Sequence, residues 1–269
     1  MQENKDKLSE ALKRAQTERE QIYKKAASPL NGKYVAPSVP KKAEAARNGV
    51  DSRLVAYTDA NSPVAEQYRS LMTYVLSMPN ADLLKVIAIT SSSPGEGKTI
   101  TALNFAIVLS RNLGKKVLVI DGNFRKPTVD LYLNINAEKG FSEVLAGISE
   151  VSEVIKETSI PNLFCIASGQ IEINPVELLG SPKVANVLSK IKNRFDYIII
   201  DTPAVIPYAD ARLISKISDG VILTIKAEKT SREVINRSEF LLKEAGAKLL
   251  GAVLTNIQYH IPEYIHKYL

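Results

Sequence analysis

The chain has 269 residues, 45% hydrophobic and 24% charged, with 13 Gly and 13 Pro, a composition that excludes a disordered, collagen-like or disulfide-stapled protein. Its single cysteine, Cys165, cannot form an internal disulfide and no Cys/His group has zinc-finger spacing, so a reduced, cytoplasmic protein is expected. The net charge is +6, of which residues 1–60 carry +4, with 12 Lys/Arg against 8 Asp/Glu. The remaining residues carry only +2, so the folded part lacks the basic face of a dedicated nucleic-acid binder.

The first 60 residues divide into a predicted helix and a predicted linker. Within residues 1–27, apolar side chains recur three, four or seven positions apart among charges, at Leu8, Leu12, Ala15, Ile22 and Ala26. This amphipathic helix fits docking on an activator, self-association or shielding of a sheet edge equally well. Residues 28–60 contain SPLNG and APSVPKK without an apolar period, which indicates a linker. No apolar run approaches the roughly 18 residues of a membrane span, and no signal-peptide region is evident.

A folded domain is predicted over residues 61–257. Ser62 and Pro63 have the types expected at the cap and first position of a helix that continues as VAEQYRSLMTYVL. Short β-branched runs follow, at 85–90, 116–121, 163–167, 197–201, 221–226 and 249–256. Helical patterns lie between them, notably at 98–113, 182–193, 209–217 and 231–245. Several runs are apolar on both faces, so the fold class is α/β, with a doubly wound, mostly parallel sheet.

A phosphate-binding loop is predicted where the first core strand meets its helix, in TSSSPGEGKT at residues 90–99. Small residues there let backbone N–H groups surround an anion at a helix N-terminus. Lys98 would reach the outer phosphates and Thr99 would bind Mg²⁺. The usual template has Gly five positions before the Gly of the GK pair, where this chain has Ser92.

Two later strands end in acidic residues. Asp121 closes VLVID before GNFRKP, and Asp201 closes YIIID before TP. Because parallel strands end at one edge of a sheet, both carboxylates are expected beside the phosphate loop, where a P-loop protein holds Mg²⁺. Nucleotide and Mg²⁺ binding are therefore predicted. Tyr208 and Asp210, shortly after the second acid, can either line this site or begin the next helix.

At these residues the chain resembles the bacterial tyrosine kinases of capsule and exopolysaccharide synthesis, called BY-kinases, over about residues 57–257. The similarity lies in the loop SSSPGEGKT, the second Walker A segment IDGNFRKP, the Walker B segment IIIDTPA, and the stretches SGQIEINPVELLGSP, EQYRSL and GAKLLGAVLTN. The resemblance implies a P-loop NTPase fold of the MinD/ParA-like, deviant Walker type. It also implies an ATP-dependent, non-specific protein-tyrosine autokinase that regulates capsule or exopolysaccharide synthesis and export.

The resemblance also assigns residues. Lys98, Asp121 and Asp201 are implied as catalytic, and Thr99 with the two aspartates as Mg²⁺ ligands, with Asp121 also able to help deprotonate an incoming tyrosine. The implied nucleotide-binding set is Pro94, Gly95, Glu96, Gly97, Lys98, Thr99, Ile100, Arg125 and Asn256. The implied partners are a transmembrane polysaccharide co-polymerase that activates the kinase at the inner face of the membrane, a homo-oligomer (ring or dimer) and a protein-tyrosine phosphatase.

Residues 258–269 are predicted to be a tail that neighbouring subunits phosphorylate. Tyr259, Tyr264 and Tyr268 lie in the last 11 residues of a chain with 11 tyrosines, and an exposed terminus can enter a neighbour's active site. The alternative is that these three aromatic rings pack a frayed terminus.

The chain departs from the family pattern at three places. Asn123 replaces the second Asp of the second Walker A segment, which removes a negative charge near the metal. Met72 replaces the second Arg of the ExxRxxR oligomerisation pattern, of which Glu66 and Arg69 remain. Near the end of the domain, either Thr255 or Asn256 can approach the adenine.

Two other functions remain open at this point. A partitioning or membrane-positioning ATPase switch of the ParA/MinD type has the same scaffold, but such proteins carry a signature lysine and a glycine where this chain has Ser93 and Pro94. A catalytically weak pseudokinase that regulates export machinery is the other alternative, because of Asn123.

Overall fold

The structure, a computed structural model, describes residues 49–170 and 174–257. Its seven strands are β1 (Val86–Ser91), β2 (Val117–Asp121), β3 (Lys156–Glu157), β4 (Leu163–Ile166), β5 (Tyr197–Asp201), β6 (Gly220–Lys226) and β7 (Leu249–Thr255). Six of them match the six β-branched runs of the sequence to within one residue at each end. The seventh, β3, has two residues, too few for an alternating pattern to be visible.

Ten α-helices lie in the described residues. They are α1 (Val55–Thr58), α2 (Pro63–Leu76), α3 (Lys98–Asn112), α4 (Val129–Leu133), α5 (Phe141–Ala146), α6 (Val151–Val154), α7 (Pro175–Gly180), α8 (Lys183–Ile191), α9 (Asp210–Ile217) and α10 (Arg232–Glu244). The predicted start of α2 is confirmed, because Ser62 is its N-cap and accepts a hydrogen bond from the Ala65 N–H at 3.2 Å.

The strands form one sheet in the order β3-β4-β2-β5-β1-β6-β7. All neighbouring pairs are parallel except β3 and β4, where Lys156 pairs antiparallel with Cys165. The chain leaves β1, crosses through α3 and returns as β2, with β5 inserted between these two strands. The carboxyl ends of β1, β5 and β2 are therefore neighbours, and the predicted doubly wound, mostly parallel fold is confirmed.

Both faces of the sheet are covered by apolar side chains. In β1, Val86 and Ala88 belong to one hydrophobic cluster, and Ile87 and Ile89 belong to the other. This division follows from the two-residue period of a strand, which sends successive side chains to opposite faces. It also explains why the strand sequences are continuously apolar. Cys165 is buried in β4, as expected of a small apolar residue.

The packed region begins before residue 61. Val50 and Leu54 are fully buried in the cluster on the α3 side of the sheet. The side chain of Asn104, in α3, accepts the Ala56 N–H at 2.8 Å and donates to the Arg53 carbonyl at 3.0 Å. Part of the predicted linker 28–60 is thus packed against the helix that follows the phosphate loop.

Several predicted features lie outside the described residues. These are the amphipathic helix of residues 1–27 and the tail with Tyr259, Tyr264 and Tyr268. Across the ranges 49–170 and 174–257, no helix is long and apolar enough to cross a membrane.

Candidate functional site

The predicted phosphate loop connects β1 to α3. Gly95 and Gly97 have φ of +82° and +87°, the left-handed region that glycine adopts without steric cost. Gly97 is the N-cap of α3, and Lys98 is the first helical residue. The loop therefore ends at the N-terminus of a long helix, where unpaired N–H groups and the helix dipole favour a phosphate.

Thr99 and Asp201 join the phosphate loop to the end of β5. The Thr99 hydroxyl donates to Asp201 Oδ2 at 2.7 Å, and both side chains are buried. The other carboxylate oxygen, Oδ1, is buried without a hydrogen-bond partner among the described residues. Burying a carboxylate oxygen without a partner is energetically unfavourable, and a bound cation would supply the missing partner. The position is therefore suited to a cation.

Asp121 lies next to Asp201 in the sheet, because the two residues are in register at the ends of β2 and β5. It is fully buried and accepts three backbone hydrogen bonds. Its Oδ1 accepts from the N–H of Asn123 at 3.0 Å, and its Oδ2 accepts from Thr128 at 3.0 Å and Val129 at 3.1 Å. The loop after β2 therefore holds this carboxylate in one orientation, and the sheet edge carries two adjacent buried acids.

Burial raises the pKa of both acids. The pKa of Asp121 rises from 3.8 to about 8, by burial and by the charge of Asp201, against the three N–H bonds. The pKa of Asp201 rises from 3.8 to about 6 by burial, which the positive charge of Lys98 and the Thr99 hydrogen bond partly offset. The pair thus favours a proton or a cation over two bare charges.

These residues fit a hard divalent cation such as Mg²⁺. The available donors are two carboxylates and one hydroxyl. Among the described residues there is no larger metal-binding group, that is, no cluster of three or more His, Cys, Asp or Glu side chains. In proteins, Mg²⁺ is usually bound by one or two carboxylates together with water and substrate phosphates. Two carboxylates and a hydroxyl beside a phosphate loop therefore suit Mg²⁺.

The side-chain amide of Asn123 forms hydrogen bonds through both its nitrogen and its oxygen in the turn after Asp121. Its Nδ2 donates to the Lys126 carbonyl at 3.1 Å, and its Oδ1 accepts from the Lys126 N–H at 3.3 Å. An aspartate could make the second bond but not the first. The amide therefore has a local function in closing the turn that presents Asp121, apart from any effect of its missing charge.

Arg125 is held by Tyr208 and Asp210. Its guanidinium donates to Asp210 twice, at 2.7 Å and 3.0 Å, and lies 4.4 Å from the centre of the Tyr208 ring. Asp210 is fully buried and begins α9. These contacts tie the loop after β2 to the segment after β5, a connection that the sequence did not reveal. The nucleotide-binding role implied for Arg125 stays a prediction.

The ends of β6 and β7 also reach the phosphate loop. The Thr255 hydroxyl donates to the Glu96 carbonyl at 2.8 Å, whereas Asn256 is exposed and has a φ of +56°. Of the two candidates, Thr255 is the one that contacts the loop, and an adenine contact by Asn256 stays a prediction. The Glu96 side chain is bonded to the hydroxyl of Thr230, which follows β6. Thr230 belongs to no motif, so sequence reasoning missed it.

The predicted oligomerisation residues lie on α2. The Arg69 Nε donates to Glu66 Oε2 at 2.6 Å, and its Nη1 donates to the Ala60 carbonyl at 2.8 Å. In place of the second Arg of the pattern, Met72 is buried against the α3 side of the core. The surface of α2 is thus built differently from the ExxRxxR pattern, and a role for Glu66 and Arg69 in assembly stays a prediction.

Comparisons with known proteins agree with this geometry. A family model described as an AAA domain matches residues 84–244. The chain is 32% identical over 206 residues to the putative tyrosine-protein kinase CapB of Staphylococcus aureus, covering 77% of this chain and 90% of that protein. It is 34% identical over 201 residues to the tyrosine-protein kinase YwqD of Bacillus subtilis, covering 75% and 84%.

A solved structure extends the similarity to three dimensions. The crystal structure of the chimerical protein CapA2B2 matches with a TM-score of 0.73 and 33% sequence identity, over 77% of this chain and 91% of that one. The AAA match contains the phosphate loop, Asp121 and Asp201. The similarity therefore includes the candidate site as well as the scaffold. The chain belongs to the bacterial tyrosine-protein kinase family.

Proposed function

We propose that this chain is an ATP-dependent protein-tyrosine autokinase of capsule or exopolysaccharide synthesis, which phosphorylates the carboxyl-terminal tyrosines of neighbouring subunits. The observation that carries the proposal is the pair of buried carboxylates beside the phosphate loop, in a chain whose relatives are named tyrosine-protein kinases. ATP and Mg²⁺ are the ligands that this combination of phosphate loop, hydroxyl and carboxylates suits.

Each residue has a distinct role in the proposed reaction. Lys98 and the first N–H groups of α3 bind the phosphates and neutralise charge on the transferred group. Thr99, Asp201 and Asp121 would hold Mg²⁺, which when bound offsets the negative charge of the β- and γ-phosphates. The tyrosine oxygen forms a bond to the γ-phosphorus as the bond to the leaving oxygen of ADP breaks.

Asp121 is the group proposed to accept the proton of the tyrosine hydroxyl. Three backbone N–H bonds fix its orientation, and burial beside Asp201 raises its pKa to about 8. A bound Mg²⁺ would lower this pKa and keep the carboxylate ionised, which is the form that can accept a proton. The proton ends on Asp121, the phosphoryl group on tyrosine, and ADP is released.

The proposed partners follow from the family. A transmembrane polysaccharide co-polymerase would activate the kinase and hold it at the inner face of the membrane, and a protein-tyrosine phosphatase would reverse the modification. Assembly into a ring or dimer would bring the tail of one subunit to the site of the next, and α2 with Glu66 and Arg69 is the proposed contact.

The direct test uses the purified chain with Mg·ATP labelled in the γ-phosphate and the cytoplasmic segment of its host's polysaccharide-export membrane protein. Label is expected on tyrosine, and Lys98→Met is expected to lower the rate about a hundredfold because it removes a charge that acts on the transferred group. Phosphate release without tyrosine labelling would instead support the ATPase switch.

Asn123→Asp tests the pseudokinase alternative. We expect no gain in tyrosine labelling and a loss of about 1–2 kcal/mol in the free energy of unfolding, measured without metal. The new carboxylate cannot donate to the Lys126 carbonyl and adds a charge near two buried acids. Asn162→Asp, the same change at an exposed site before β4, is the control. A large gain in labelling would mean that Asn123 impairs the native site.

A further inference from the structure

Glu96 lies in the phosphate loop and is only 3% exposed. Its Oε2 accepts the Ser93 N–H at 2.9 Å, and its Oε1 is bonded to the Thr230 hydroxyl. A buried carboxylate is unfavourable unless its oxygens are hydrogen-bonded, and bonds to a charged acceptor are stronger than those between neutral groups. The side chain therefore links two parts of its own loop and connects both to the segment between β6 and α10.

The main chain of Glu96 is connected to the same region. The hydroxyl of Thr255, the last residue of β7, donates a hydrogen bond to the Glu96 carbonyl at 2.8 Å. The Thr255 carbonyl accepts a hydrogen bond from the Ala227 N–H at 2.9 Å. The segments after β6 and β7 are thus bonded to each other and to Glu96. Because Gly97 and α3 follow Glu96 directly, displacement of this residue would displace the helix N-terminus.

We propose that Glu96 is a positioning residue that fixes the phosphate loop, through Thr230, against the segment after β6 and so sets the affinity for ATP. A phosphate site binds tightly only when its N–H groups are already arranged for the ligand. One hydrogen bond of Glu96 within the loop and two to neighbouring segments provide that arrangement. The inference rests on one part of the proposed function, that the chain binds ATP, and does not depend on phosphoryl transfer to tyrosine.

A double-mutant cycle tests this role through the dissociation constant of a fluorescent ATP analogue with Mg²⁺. Glu96→Ala is expected to weaken binding about tenfold and Thr230→Val about threefold to tenfold, as for loss of hydrogen bonds to a charged group. The double variant should match Glu96→Ala within about twofold, because both changes remove one shared bond. Glu96→Gln can still accept from Ser93 and donate to Thr230, so its binding should stay within about threefold of the wild-type value.

Thr224→Val is the matched control. This threonine lies in β6, and its buried hydroxyl has no hydrogen-bond partner among the described residues, so its removal should leave the dissociation constant unchanged. Unfolding in urea, measured on every variant, separates loss of the fold from loss of affinity. Three results would overturn the inference. The first is an unchanged affinity in Glu96→Ala or Thr230→Val, and the second is additive losses in the double variant. The third is a loss of affinity in Glu96→Gln as large as that in Glu96→Ala. Tight, Glu96-dependent binding without tyrosine labelling would reject the kinase proposal alone.

Discussion

Asp201→Asn is expected to lower tyrosine phosphorylation about a hundredfold to a thousandfold. Asp201 accepts the Thr99 hydroxyl through Oδ2, and its buried Oδ1 has no hydrogen-bond partner in the part of the chain that the structure describes. An amide can keep the first contact, but it carries no negative charge for the cation, and metal stabilisation of a phosphoryl transition state amounts to several kcal/mol. The loss should appear mainly in the rate of transfer, with ATP still bound by the phosphate loop.

The same substitution is expected to stabilise the metal-free protein. Burial raises the pKa of Asp201 from 3.8 to about 6, so the folded state binds its proton more tightly than the unfolded state does. The stability of the wild-type protein therefore falls as pH rises from about 4, through the pKa of Asp201 near 6 and that of Asp121 near 8. Removing the Asp201 charge should recover about 3 kcal/mol at high pH, since one pKa unit corresponds to about 1.4 kcal/mol.

Urea denaturation in EDTA at pH 5 and at pH 8.5 measures this effect. At pH 5 the advantage of Asp201→Asn should be about half of its value at pH 8.5, because pH 5 lies between the unfolded pKa of 3.8 and the folded pKa of about 6. Added Mg²⁺ should reduce the advantage by stabilising only the wild-type protein. The control is Asp196→Asn, which removes a half-exposed carboxylate immediately before the same strand. A stability gain that is independent of pH, or shared by Asp196→Asn, would contradict the assignment of Asp201 to a strained acidic pair.

The strands and the phosphate loop were predictable because their signals are local. Continuous β-branched runs marked six strands, and the spacing of Gly97, Lys98 and Thr99 after one of them marked the loop. The position of Asp121 beside Asp201 also followed, since both residues end parallel strands and one edge of a sheet collects such ends.

The connections between distant segments were not predictable in the same way. Glu96 and Thr230 are 134 positions apart, Arg125 and Asp210 are 85 apart, and neither pair belongs to a period or a spaced motif. Such contacts depend on which loops the sheet order brings together, and single polar residues in loops are ordinary in any sequence. The packing of Leu54 was hidden for a related reason, because a short segment that buries a few apolar residues resembles a linker.

Replacing the three tail tyrosines by phenylalanine is the second change with a large expected effect. In the variant Tyr259→Phe/Tyr264→Phe/Tyr268→Phe, phosphotyrosine per subunit should fall about tenfold or more, because the aromatic rings remain but the accepting hydroxyls are absent. A tyrosine within the sheet, by contrast, cannot reach a neighbour's site. ATP binding should be unchanged. Anti-phosphotyrosine detection and mass spectrometry of the tail peptide measure the result.

Tyr23→Phe/Tyr34→Phe, which removes hydroxyls from the amino-terminal segment, is the matched control and should retain the signal. A second arm mixes the tail variant, which has an intact site, with Asp201→Asn, which has an intact tail. If subunits phosphorylate one another, the Asp201→Asn chain should become labelled in the mixture, although neither protein labels strongly alone. Labelling that persists in the tail variant would refute the tail assignment. A mixture without label, when each protein still binds ATP, would show instead that each site acts only on its own chain.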